Sequence, residues 1–424
     1  MKTAVWLYLF LFVAFFDLHA QYPILTPFAI SLGAAPSFIG LMMGLYSITH
    51  LPGNLIAGYG VDRFGSRLFI VGSLLFAGII LLLQSGVTNP WQLLVLRSVS
   101  GFVLAFLSPA CMALLVRIAR NQVQQGKLMA GNGLVHTLAS VVSPAAGAML
   151  VAKIGFAQAF VVLGWVLIAT ALCALLFVRD EEKRPQARDT RATRELARTS
   201  GPARPPRNDR RQPVPAAGAA RTDGFTGLAR TSGALPEREE PAPWPVFLLP
   251  VAISCSQGIL FFELPLLART AEAIMTTGLM FSVVSIGALI TLSMLFLNRY
   301  SPFWRTMGGA LALALSFFAM AVEAPVSLYV PLLFVGLAKG VIFPAMSALL
   351  IQLSGRARYG RTFSLLSIAS SVGAFLGPLL AGHLRDEVSS YYIAFLVLMA
   401  VVAVLPGRIC PVLRLKRSAV QDTM

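Results

Sequence analysis

Charge is scarce in this chain. Only 12% of its 424 residues are Asp, Glu, Lys or Arg, while 57% are hydrophobic. A soluble globular domain carries about 25% charged residues. The shortage excludes a water-soluble domain and makes the lipid bilayer the first partner. Acid is scarcer than base, 18 residues against 34, for a net charge of +16. In a soluble chain that balance would point to nucleic acid. Here the membrane explains it, because cytoplasmic loops collect Lys and Arg, so no nucleic-acid partner is expected. Cysteine is rare as well. Cys111, Cys173, Cys255 and Cys410 lie in or at the ends of apolar stretches, without the spacing of a metal site or a disulfide framework. No G-x-x-x-x-G-K-[ST] loop occurs, so direct drive by ATP is excluded. No metal-ligating cluster or nucleophile elbow is visible, which argues against an enzyme and against a cofactor.

What is abundant is the apolar run of about 20 residues, long enough to cross a bilayer as a helix. Such runs fall near 4–28, 36–61, 68–86, 90–116, 128–152 and 157–178, then near 246–268, 276–297, 305–322, 326–353, 361–383 and 390–407. That is an all-α membrane protein with twelve transmembrane helices in two sets of six. The short segments on the side of the N-terminus, with the C-terminal tail, carry 15 Lys and Arg, among them Arg63, Arg67, Arg117, Lys127, Arg299 and Arg414. The opposite loops carry three: Lys153, Arg269 and Arg385. The bias puts both termini in the cytoplasm.

Between the sets, 14 of the 34 Lys and Arg crowd into residues 179–238, with Pro, Ala and Gly and few large apolar residues. The sequence LARTSG occurs there twice, at 196–201 and 228–233. This composition predicts a disordered cytoplasmic linker. The expected organisation is an N-terminal half over 1–179, the linker over 180–243, a C-terminal half over 244–410 and a cytoplasmic tail over 411–424.

The halves repeat one another. Pro90, Gly101 and Pro109 align with Pro325, Gly336 and Pro344, and Ser143-Pro144 aligns with Gly377-Pro378 after one gap. Both copies run in the same direction, which makes a parallel six-helix repeat. The repeat also bears on the first segment, whose Leu-His-Ala before Gln21 has the look of a signal-peptide cleavage site. Pro23-Ile24-Leu25 matches Pro265-Leu266-Leu267 of the seventh run, and the apolar stretch continues to Gly33. A first transmembrane helix is the better reading.

Between the second and third runs stands Gly58-Tyr-Gly-Val-Asp62-Arg63-Phe-Gly65-Ser66-Arg67. With twelve helices, a parallel repeat and a central loop, this segment resembles the G-x-x-x-D-R-x-G-R-R signature of the major facilitator superfamily, except that Ser66 replaces a basic residue. The resemblance implies two six-helix bundles around a central site and a cytoplasmic gate at Gly58, Asp62, Arg63, Gly65 and Arg67. In that gate Asp62 would latch one half to the helix beginning at Arg361. The anion needs such a partner, because it sits at a helix C-terminus whose dipole disfavours it. Two Pro-Gly patterns, Ser143-Pro144-x-x-Gly147 and Gly373-x-x-x-Gly377-Pro378, allow close helix approach. The first is similar to a motif of the family's proton-coupled efflux antiporters, although those usually have Gly in place of Ser143. Arg97 and Gly101 match an R-x-x-x-G of the same branch.

Intramembrane polar residues are costly and therefore functional candidates. Asp17 lies about 13 residues, or roughly 20 Å, up the first helix, with Gln21 four residues on. A carboxyl group at that depth is a candidate for taking up and releasing a proton. Arg97 is its expected partner, either as a couple loosened by protonation or as a closed structural pair. Lys339 replaces Leu104 of the first repeat and asks for an anionic substrate group or a partner carboxylate, with Glu263 the obvious one by composition. Asn132, His136, Ser140 and Ser143 form one polar stripe, and Tyr46, His50 and Asn54 another. Each reads as a wet cavity wall or as helix–helix hydrogen bonding. The resulting expectation is a monomeric, multi-pass plasma-membrane secondary transporter of small organic molecules, driven by a proton gradient. Efflux leads. Uptake of an organic anion follows, then lipid flipping, then a non-transporting sensor.

Overall fold

The computed structural model describes residues 2–119, 122–177, 243–268, 270–354 and 359–421. Within these, the side chains of residues 2–3, 58, 62, 122–123, 295, 298, 359–361 and 410–421 are outside the description. The segment read as a linker, but for Pro243, is likewise outside the described residues.

Apart from its turns and short connections, the described chain is helical. Its helices are α1 (Lys2–Ala20), α2 (Tyr22–Ser31), α3 (Pro36–Phe64), α4 (Ser66–Ser85), α5 (Pro90–Leu104), α6 (Leu107–Ile118), α7 (Gln122–Ile154) and α8 (Phe156–Phe177) in the first half. The second half holds α9 (Leu248–Leu266), α10 (Ala271–Ser293), α11 (Pro302–Ala321), α12 (Tyr329–Leu353), α13 (Tyr359–Leu384) and α14 (Ser390–Gln421). Local chemistry sets many of the ends. Asn89 accepts a hydrogen bond from the Trp91 amide at 2.9 Å ahead of Pro90, and Thr270 accepts from the Ala273 amide at 3.2 Å, each satisfying an otherwise orphaned helix donor. The α3–α4 turn is one residue, Gly65, at φ 91° and ψ 161°, a conformation essentially reserved for glycine. This accounts for the Gly65 of the signature motif without any appeal to gating.

Ten helical segments among the described residues are long and apolar enough to cross a membrane, and α1 with α2 makes an eleventh as one bent span. α5 and α6 together form one of the ten, across the break at Ala105-Phe106. The remaining candidate, α3, falls outside this set although it is 29 residues long. Its polar stripe through Tyr46, His50 and Asn54 lowers its hydropathy, while its packing on α5 and α13 keeps it in the bundle. Two boundaries differ from expectation. The eighth run, expected over 276–297, is helical over Ala271–Ser293 and tightens to 3₁₀ over Leu295–Arg299. The last helix continues to Gln421, through the stretch read as a tail from 411.

Consecutive spans run in opposite directions, so the bundle has a near face, holding the N-terminus, and a far face. On the far face, Phe28 packs on Phe156 and Phe38 on Trp91. The halves meet through α3 with α13, α7 with α10, and α2 with α9 and α10. A Cβ added at Gly278 would stand 2.6 Å from the Pro144 carbonyl, and one at Gly382 would stand 2.8 Å from that of Pro36. Backbones touch here because side chains are absent. All these contacts lie toward the far face, where the two halves close on each other.

Candidate functional site

The first span breaks at Gln21, where α1 and α2 meet at 43°. Pro23 is the cause. It has no amide hydrogen to offer the carbonyl four residues back, and its ring crowds the preceding turn. Gln21 therefore sits at the bend, and its side chain reaches in two directions. Its amide nitrogen donates to both carboxylate oxygens of Asp17, each at 2.9 Å. Its amide oxygen accepts from Arg97 Nη1 at 2.6 Å. Asp17 and Gln21 are each 2% exposed and Arg97 5%. A neutral amide can donate to an anion through its nitrogen and accept from a cation through its oxygen at once. The expected Asp17–Arg97 couple is thus formed indirectly, through Gln21.

Arg97 is held from α5 with its guanidinium 4.5 Å from the centre of the Tyr46 ring, a cation–π contact. The spacing to Gly101 has a structural reason. A Cβ at Gly101 would lie 2.6 Å from both the Tyr46 carbonyl and the Thr49 hydroxyl, so Gly101 lets α5 approach α3 closely enough for Arg97 to reach Tyr46. Farther along α3, Asn54 Nδ2 meets His50 Nδ1 at 2.9 Å.

The Pro-Gly patterns support this site. Ser143 is buried and donates to the Ala139 carbonyl at 2.6 Å. Gly147 faces Ala20, where a Cβ would stand 2.5 Å from the carbonyl oxygen, so α7 braces the bend of the first span. In α13, Gly373 and Gly377 pack in the same way against the backbone of Val251 and Cys255 of α9. Pro378 fits against Gly258 of α9 and Gly40 of α3. Each pattern touches the first span of its own half and the second span of the other.

A second cluster lies beside the first. The His19 and His136 rings are edge to face at 5.2 Å, and Phe15 meets His136 at 4.6 Å. His19 Nδ1 lies 2.6 Å from the Phe15 carbonyl. That oxygen only accepts, so Nδ1 carries the ring hydrogen and Nε2 is left for another partner. Tyr22 stacks on Phe261 of α9 at 4.2 Å, and Phe261 meets Phe281 of α10 at 5.4 Å. Lys339 Nζ stands 5.8 Å from the Phe261 ring centre and within electrostatic range of both imidazoles. Composition did not mark His19, Tyr22, Phe261 or Phe281. The available signal was a histidine two residues from Asp17 in a membrane span.

The pairing of Lys339 with Glu263 is not formed. Glu263 instead accepts from Arg385 at 3.3 Å and from Ser390 Oγ at 2.9 Å on the far face. Glu263 stands near the far-face end of α9, where Arg385 of the α13–α14 connection and Ser390 at the start of α14 hold it. In the signature motif, Arg63 donates to Tyr59 Oη at 3.1 Å and lies over Phe64, while Arg67 donates to the Leu175 carbonyl at the end of α8 at 2.5 Å. Each of these contacts is within the first half. The side chains of Gly58 and Asp62 are outside the described residues, as is that of Arg361, so the latch expected between them is outside the description too.

The family model of the Major Facilitator Superfamily matches residues 7–335 and 297–420. The chain belongs to the major facilitator superfamily. Among curated relatives, it is 32% identical over 156 residues to "Multidrug resistance protein MdtG" of Citrobacter koseri and 31% identical over 163 residues to the protein of that name in Enterobacter lignolyticus. These matches span 35% and 37% of this chain and 38% of each relative's length. Among solved structures, a POT family transporter in complex with a thioalcohol-conjugated peptide aligns over 97% of this chain and 96% of its own, with a TM-score of 0.69 at 13% identity. A bacterial homologue of the human lysosomal transporter Spinster, in an inward-facing and occupied conformation, aligns over 94% and 93%, with a TM-score of 0.67 at 16% identity. At such identities the likeness is one of fold. As a superfamily member with this many long apolar helices among its described residues, the chain is a multi-pass membrane protein.

Proposed function

We propose that this superfamily member exports small organic molecules in exchange for protons by alternating access. It would span the membrane twelve times as a monomer, with both termini cytoplasmic. The observation that carries the reading is the Asp17–Gln21–Arg97 bridge at the bend of the first span. As a carboxylate, Asp17 accepts from the Gln21 amide nitrogen through both of its oxygens, and the amide oxygen is then held toward Arg97. Protonation turns one acceptor oxygen into a donor that faces a donor. One of the two bonds is lost, the amide tips, and Arg97 is released. The bend is braced by Gly147 and lies against the second half through α2, so a local proton event acts on the element that joins the halves.

The near face is cytoplasmic in this reading, on the bias of Lys and Arg. The conformation is then closed outside and open inside. His136 supports this, being exposed midway along α7 although Phe15 and His19 lie against its ring. The name of the relatives favours export. In everted vesicles acidified by respiration, a broad panel of organic compounds should contain some that raise the internal pH only when this protein is present. If no compound moves protons, exchange with protons is refuted.

A further inference from the structure

The second cluster has an excess of positive charge. Lys339 of α12 has its Nζ 5.8 Å from the centre of the Phe261 ring, on which Tyr22 stacks, and lies within electrostatic range of His19 and His136. Among the described residues no carboxylate lies within ion-pairing distance of it. Asp17 is held by Gln21, and Glu263 is held by Arg385 and Ser390. A cation inside a membrane protein without a partner is costly. The same spot offers His19 Nε2, its other ring nitrogen being committed to the Phe15 carbonyl. Above it, Tyr22, Phe261 and Phe281 make an apolar roof contributed by both halves.

We propose that this cluster is the substrate-binding site, and that its ligand is an aromatic organic acid carried as the anion. Lys339 supplies the countercharge, His19 Nε2 a hydrogen bond to the acid group, and the roof a surface for the aromatic ring. The charge of Lys339 repels an organic cation of the same size. This deepens the transport reading and rests on it. It also separates two tasks: Asp17, Gln21 and Arg97 handle the proton, and Lys339 handles the substrate.

The test uses two naphthalene probes of matched size and opposite charge, 1-naphthoate and 1-naphthylmethylammonium. Binding is measured calorimetrically on the full chain in lipid nanodiscs. Naphthoate should bind the wild type and naphthylmethylammonium should not. Lys339→Gln should weaken naphthoate by roughly tenfold or more, as expected when a desolvated charge pair loses one partner, and Lys339→Arg should restore most of the affinity. Absence of naphthoate binding, tighter binding of the amine by the wild type, or equal affinity in Lys339→Gln overturns the inference. The wild-type comparison needs no variant and stands even if Lys339→Gln does not fold. Counterflow in proteoliposomes separates the two readings. Naphthoate that binds but never crosses refutes transport at this site and leaves the anion site standing, whereas flux of other compounds without naphthoate binding refutes the anion inference alone.

Discussion

Gln21 is the residue on which the proton account turns. It links a carboxylate and a guanidinium that do not touch. Gln21→Leu keeps the size of the side chain and removes all three contacts, two with Asp17 and one with Arg97. The expected result is a folded protein whose proton-driven transport falls roughly tenfold or more, since a buried charge left without its hydrogen-bonding partner costs at least about 1.5–3 kcal/mol. A rate assay on protein of normal yield checks it, and an unchanged rate would make the bridge incidental. Glu263 should behave differently. Glu263→Gln weakens its ties to Arg385 and Ser390 on the far face, so thermal stability falls while proton movement per substrate stays as in the wild type. A change in that stoichiometry would return Glu263 to the pathway. Part of this site is legible in the residues themselves. Asp17 and Gln21 share a helical face by their spacing, and Arg97 declares itself by its cost in lipid. The amide relay is not legible, because it depends on the bend that Pro23 imposes. Nor does spacing along a chain reveal that His19 of α1 meets His136 of α7.

Among the elements, the glycine and proline patterns are where the two halves come into backbone contact. Gly278 of α10 lies against Pro144 of α7, and Gly40 of α3 against Pro378 of α13, and both pairs join the halves near the far face. A leucine at either glycine wedges these helices apart, since a Cβ alone would already overlap a backbone carbonyl and overpacking of this kind costs about 1–3 kcal/mol. Gly278→Leu should therefore move the population away from the closed far face. In a variant whose native cysteines are replaced, a cysteine at position 136 should then react more slowly with an impermeant maleimide from the near face, and one at position 22 should become reactive from the far face. Unchanged labelling would show that the seam does not govern the equilibrium. Helices of this kind are easily read from sequence where they are almost entirely apolar, as α8 is. α3 is harder, because a wall that faces a wet cavity must give up hydropathy. The motif at Gly65 is read as a gate from resemblance alone, yet its glycine is also demanded by a one-residue turn.

For the whole molecule, the parallel repeat produces a pseudo-symmetric frame with unlike contents. Gly101 brings α5 against α3, and its repeat partner Gly336 brings α12 against α10 by the same close approach. The charges placed on that frame differ: Arg97 in one half, Lys339 in the other, and Asp17 without a counterpart. In the proposed cycle, symmetry would supply two halves that rock, and asymmetry would give each half its own task. The central claim is that proton binding and substrate passage use different residues. The most direct measurement compares wild type and Asp17→Asn in proteoliposomes, under an imposed pH gradient and in substrate counterflow without one. The account predicts that Asp17→Asn loses accumulation driven by the gradient and keeps counterflow. Loss of both together, with the variant folded, would contradict it, as would accumulation that survives without the carboxylate.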